Sequence, residues 1–80
     1  MSIKPHILII EDDREINGLI ARYLLDNDCR VTSAPDGRDL ESLTQTNRFD
    51  LVVLDIMLPG EDGLSLCRRM RQRSYVPIII

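Results

Sequence analysis

The sequence is short of positive charge: 10 Lys and Arg stand against 13 Asp and Glu, a formal net charge of -3. A protein that grips a phosphate backbone draws its affinity from a surplus of Lys and Arg, so this segment is not expected to contact nucleic acid itself. Long apolar runs are also missing. The N-terminal "MSIKPHILII" carries one Lys and a short apolar run that meets "EDD", which suits neither a signal peptide nor a membrane span; a cytoplasmic location is expected. Cysteine is scarce: Cys29 and Cys67 lie far apart, with no His or Cys at metal-ligand spacing, and read as reduced packing thiols. There is no G-x-G-x-x-G turn or P-loop after the first apolar run, where "EDDREING" stands instead, and this sets a nucleotide-binding module aside. Internal repeats, low-complexity tracts and linkers are absent.

What is present is ordinary for a folded chain. Eighty residues make one domain at most, and 44% hydrophobic with 29% charged residues is too apolar for disorder. "HILII", 6–10, is a continuous apolar run that stops at acids and predicts a strand buried on both faces. Ile16, Leu19, Ile20, Tyr23 and Leu24 follow at helical spacing, with Asp13 as N-cap and the Asn27-Asp28 pair as stop. "RVTSA", 30–34, predicts a second strand nearer an edge. "PDG", 35–37, turns the chain into a weaker helix with Leu40 and Leu43. "DLVVLD", 50–55, predicts a third strand, again buried on both faces, and the loop "IMLPGEDG" leads to a third helix over 64–72 with Leu66, Cys67 and Met70 inward. "VPIII", 76–80, predicts a fourth strand with Pro77 where a missing N–H is tolerated. Alternating strands and helices with short turns imply an α/β fold with a parallel sheet.

In such sheets the binding crevice lies outside the carboxyl ends of the strands, where the strand order reverses. The first and third strands both end there in acid. If the two are neighbours, Glu11 and Asp12 come to lie beside Asp55. Two like charges about 4 Å apart repel by roughly 4 kcal/mol at an effective dielectric near 20, so the cluster calls for a cation. Mg²⁺ fits, since it takes one or two carboxylates, waters and a phosphate. Asp55 is then a candidate nucleophile towards phosphorus, Asp12 a metal ligand, and Glu11 a ligand directly or through water. Asp13 is left to capping.

"ILIIEDD" (7–13), "DLVVLDIMLPGEDGL" (50–64) and "VPIII" (76–80) resemble the receiver domain of bacterial two-component response regulators. "LDIMLPGEDGLSLCRRMR" is most similar to the OmpR/PhoB subfamily, whose members carry a DNA-binding winged helix after the receiver. The resemblance implies a flavodoxin-like (CheY-like) doubly wound parallel sheet of order 2-1-3-4-5, cut here after the fourth strand. It implies Asp55 as phosphoacceptor and Glu11 and Asp12 as the acidic pair that holds Mg²⁺. Met57 matches the position whose backbone carbonyl is a metal ligand, and Pro59 and Gly63 match loop-shaping positions. The implied phosphodonor is a sensor histidine kinase, and the implied role is that of a switch rather than a turnover enzyme.

Two other readings compete with this one. A Mg²⁺-dependent phosphohydrolase of the haloacid-dehalogenase type uses a D-x-D-x motif, but Met57 stands where its second Asp belongs. A degenerate receiver acting only as an interaction module is the other, and the intact Glu11, Asp12 and Asp55 speak against it. His6, at the end opposite the acids, receives no catalytic role. Arg68, Arg69, Arg71 and Arg73 read as a solvated helix face, with a partner surface as the alternative.

Receivers place a Ser or Thr after the fourth strand and a Lys after a fifth, both contacting the phosphoryl group. The sequence stops before either, and before the remaining helices and the DNA-binding domain, so it is expected to be the N-terminal part of a longer regulator. A fourth strand at the edge offers unpaired backbone flanked by apolar side chains, which invites pairing between chains. Sedimentation velocity at rising concentration is expected to show growing association; a single concentration-independent monomer would contradict it.

Overall fold

The computed structural model describes residues 3–55, 58, 60–72 and 76–80. The elements are β1 (His6–Ile10), α1 (Arg14–Asp26), β2 (Arg30–Ala34), α2 (Leu40–Thr46), β3 (Leu51–Leu54), α3 (Gly63–Arg71) and β4 (Ile78–Ile79). All neighbouring strands run parallel, in the order β2-β1-β3-β4. The chain therefore reverses its direction of strand addition after β2, with β1 between β2 and β3.

Residues with alternate parity along the strands build two different layers. Leu8 and Ile10 of β1 and Val52 and Leu54 of β3 join Leu40 of α2 and Leu66 and Met70 of α3 in the main core. Leu8, Val52 and Leu66 are fully buried. The approach of α3 to the turn after β2 is close: a Cβ on Gly37 would lie 2.4 Å from Leu66 Cδ1. Glycine is required there because the Leu66 side chain, itself sealed in the core, has little room to yield.

Ile7 and Ile9 project to the other face of β1, where α1 lies over β1 and β2. Asp13 caps α1 as expected, its Oδ1 accepting from the amides of Glu15 at 3.0 Å and Ile16 at 3.1 Å. Asn27 ends the helix and Asp28 takes φ of 63°, the left-handed conformation that Asp tolerates better than most residues.

β1 and β2 have the bounds expected from sequence, and three departures occur elsewhere. The third strand is not buried on both faces: Val52 and Leu54 are buried, whereas Leu51 and Val53 are half-buried, because α1 covers β1 and β2 rather than β3. For the same reason the helical stripe of α1 divides. Ile20 and Leu24 are half-buried, while Ile16, Leu19 and Tyr23 are exposed. β4 is two residues long rather than the expected five-residue run; Pro77 contributes only its carbonyl, which accepts from the Val52 amide at 2.9 Å. Ile79 and Ile80 are exposed beside it.

His6 lies at the amino end of β1, 5% exposed. Its ring packs on Phe49 with centroids 4.7 Å apart, and Nε2 shares a 2.7 Å hydrogen bond with Thr32 Oγ1. Burial lowers its pKa below the ordinary 6.5, with Arg30 adding to the effect and Asp50 opposing it. The folded state thus prefers neutral imidazole, so this contribution to stability is complete above pH 6.5 and is lost as pH falls through the lowered folded value. The imidazole is expected to titrate below 6.5 by NMR, with unfolding by urea easier at pH 5.5 than at pH 7.5. A His6→Gln variant should lose that part of the pH dependence; titration at or above 6.5 would contradict the assignment.

Candidate functional site

Parallel pairing of β1 with β3 sets Ile10 opposite Leu54, so the next residues, Glu11 and Asp55, leave adjacent strands at the same level. The ladder continues one bond further, from the Asp55 amide to the Ile10 carbonyl at 3.0 Å. On the other side the Glu11 amide donates to Ala34 O at 3.1 Å. Asn17 of α1 closes the corner, its Nδ2 donating to Glu11 O at 3.0 Å and to Ala34 O at 3.5 Å. This backbone is held from both strands and from the helix, and the carboxylates inherit its placement.

Glu11, Asp12 and Asp55 each offer a carboxylate oxygen such that all three lie within 4.8 Å of one another. Asp12 is exposed, and Glu11 and Asp55 are half-buried. Burial raises the Glu11 carboxyl above its ordinary 4.5; a hydrogen bond from the Asp13 amide, 3.2 Å to Oε1, pulls it down, and Asp55 and Asp12 push it up again. Three oxygens so close, partly dehydrated and of one sign, match the donor set that a hard divalent cation takes. An open depression of about 470 Å³ adjoins Glu11 and Asp55 and is floored by Ile20, Val53 and Ile80. A larger one, about 620 Å³, lies at the opposite ends of the strands near Thr44, Phe49 and Val76 and shares none of the acids.

Of the loop residues expected to matter, Gly63 is the buried first residue of α3. Met57 and Pro59 lie outside the described residues. Gly60 has φ of +86°, where a side chain would be strained. Asp62 caps α3, accepting from the Ser65 amide at 2.8 Å, and this bond holds its carboxyl below the usual carboxylate range. Sequence reasoning missed Asn17, whose one signal was a polar residue on the first turns of an otherwise inward-facing stripe. It also misjudged Arg69: this member of the basic run is drawn in between Glu41 and Glu61 rather than solvated, while Arg68 and Arg71 are exposed and Arg73 is outside the described residues.

An open parallel sheet with acids gathered at the carboxyl ends of its two central strands defines a class of α/β domains that bind ligands at the point where strand order reverses. Residues 7–80 match the model of the response regulator receiver domain, and the chain belongs to that family. It is 45% identical over 74 residues to the transcriptional regulatory protein RstA of Escherichia coli, covering 92% of this chain and 31% of that protein. Among solved structures, the BeF3-activated N-terminal receiver domain of Klebsiella pneumoniae RstA superimposes with a TM-score of 0.84 at 45% identity, covering 91% of this chain and 62% of that one. The response regulator TrrA of Thermotoga maritima, in complex with Mg(2+)-BeF, gives 0.81 at 27% identity, covering 88% and 61%. The chain spans about a third of the length of the curated relatives it matches, which are OmpR/PhoB-family transcriptional regulators. Receiver domains are signalling switches; those of OmpR-family regulators interact with sensor histidine kinases, and receivers typically bind Mg²⁺.

The strain at Glu11 has a measurable sign. Its folded pKa is raised, so its ionised form destabilises the fold at pH values above that pKa, and the penalty vanishes below 4.5. In chelator at pH 7, Glu11→Gln is expected to raise stability by up to about 1 kcal/mol, the limit set by solvent screening of a half-exposed group. The gain should fade as pH falls through the raised value. A variant less stable than wild type at pH 7 would contradict this account.

Proposed function

We propose that this chain is the phosphoacceptor receiver of a two-component phosphorelay, with Asp55 accepting a phosphoryl group from a sensor histidine kinase. The observation that carries the reading is the gathering of Glu11, Asp12 and Asp55 within 4.8 Å at the carboxyl ends of adjacent strands. A carboxylate oxygen of Asp55 forms a bond to phosphorus as the bond from phosphorus to the donor's imidazole nitrogen breaks; that nitrogen keeps the electron pair and takes a proton. Asp12 and Asp55, with Glu11 directly or through water and the Met57 backbone carbonyl, would hold Mg²⁺. That ion supplies offset of the negative charge on the transferring oxygens.

The reading extends to the parent protein. Its relatives are transcriptional regulators about three times as long, so residues 1–80 serve as the receiver part of a cytoplasmic regulator whose DNA-binding domain follows. Phosphorylation would then control transcription there. No helix among the described residues is long and apolar enough to cross a membrane. Self-association through the β4 edge is the remaining partner reading, supported by exposed Ile79 and Ile80.

Intact mass after incubation with Mg²⁺ and a small acyl phosphate tests the assignment. Wild type is expected to gain one phosphoryl group and Asp55→Asn none. Labelling of Asp55→Asn at the wild-type level would overturn it.

A further inference from the structure

Arg69 is set apart from the other arginines of α3 by what it reaches. Its Nε and Nη2 donate to Glu41 Oε1 at 3.2 and 2.5 Å, its Nη1 donates to Glu61 Oε1, and Nη2 lies 3.4 Å from the Gly37 carbonyl oxygen. One guanidinium on α3 thus joins three other pieces of chain: the turn after β2, the helix α2, and the segment that leaves β3. The three ionic side chains are each about a third exposed, so the cluster is shielded on the side that faces the protein.

The partners are placed where such a tie has consequences. Glu61 lies on the segment that departs from Asp55, next to Gly60 with its positive φ. Gly37 is pressed against Leu66 from the other side. The turn and the segment face one another across a gap lined by Asp36, Gly37, Arg38, Gly60 and Glu61. Without a cation between them Glu41 and Glu61 would repel. A planar fork of donors can hold two carboxylates and a carbonyl at fixed angles, which an ammonium, as a point charge, cannot.

We propose that Arg69 is a positioning residue, a clamp that fixes Gly60 and Glu61, on the acidic side of the sheet, by tying Glu61 to Glu41 and the Gly37 turn. The clamp acts on the carboxylate site through the backbone and touches neither the phosphoryl donor nor the acids themselves. Its effect on cation binding rests on the phosphoacceptor reading above; its effect on the loops does not.

Amide hydrogen exchange of the metal-free chain and Mg²⁺ titration are compared for wild type, Arg69→Ala, Arg69→Lys and Glu61→Gln. In Arg69→Ala the amides of 36–38 and 60–62 are expected to exchange about tenfold faster, the factor that follows from losing one charged hydrogen bond, with β1 amides at wild-type rates. Arg69→Lys, keeping the charge and losing the fork, should fall between, and Glu61→Gln should loosen 60–62 more than 36–38. Mg²⁺ affinity should drop about tenfold in Arg69→Ala, as for removal of an outer support of a metal site. Unchanged loop exchange in Arg69→Ala, with β1 protected, would overturn the clamp. Faster loop exchange with wild-type Mg²⁺ affinity would reduce Arg69 to a structural contact and overturn its positioning role. If wild type itself takes up no Mg²⁺, the phosphoacceptor reading fails and the exchange comparison alone decides the clamp. Should Arg69→Ala lose its β1 protection, Arg69→Lys and Glu61→Gln decide by the same comparison.

Discussion

Everything at the acidic end depends on the parallel pairing of β1 with β3. The register Ile10 to Leu54 delivers Glu11 and Asp55 side by side, and a slip of one residue would send the whole apolar set of either strand to the opposite face. That register is held by burial: Leu8, Ile10, Val52 and Leu54 fill the core with Leu66 and Met70. Apolar packing on one face therefore fixes the spacing of charges at the strand ends, although no apolar residue of that core takes part in the chemistry.

The pairing opposes the carboxylates' own preference. Acids gathered within 4.8 Å are less stable together than apart, and this repulsion adds to burial, the larger cause, in raising the Glu11 pKa. The fold supplies rigid backbone at the point of conflict: Asn17 holds the Glu11 and Ala34 carbonyls, Asp13 caps the helix that follows, and the Asp55 amide completes the ladder. Polar groups at the other end of β1 are arranged oppositely. His6 is buried neutral and hydrogen-bonded to Thr32, so one strand carries a group that resists protonation at its amino end and one that resists ionisation at its carboxyl end. The two ends consequently pull stability in different directions with pH, the first as pH falls below 6.5 and the second as pH rises above 4.5.

The loops around the site are tied by charge rather than by apolar burial. Glu41 of α2 and Glu61 of the segment after β3, each only partly exposed, are bridged by the guanidinium of Arg69, which also reaches the Gly37 carbonyl in the turn after β2. This divides the labour within α3: Leu66 and Met70 bind the helix to the sheet, while Arg69, on the adjoining flank, binds the helix to the loops that rim the carboxylates.

The sequence by itself determined the alternation of strands and helices, the bounds of β1 and β2, the Asp13 cap and the acids that end the first and third strands, because each is written in local periodicity, turn residues or capping chemistry. Strand adjacency came only through a family resemblance, since hydrophobic runs do not state their neighbours. Tertiary structure alone decided which faces are covered. Val53 and Leu51 read like Val52 and Leu54 in the chain, yet they differ in burial because α1 settles over β1 and β2; Ile16, Leu19 and Tyr23 are left exposed by the same placement. Arg69 was indistinguishable from Arg68 in the sequence, and only the tertiary fold brought Glu41, 28 residues away, to the guanidinium beside Glu61 of the loop before α3. Local order is a property of short stretches and can be read from them, whereas coverage and ion pairing depend on what arrives from elsewhere in the chain.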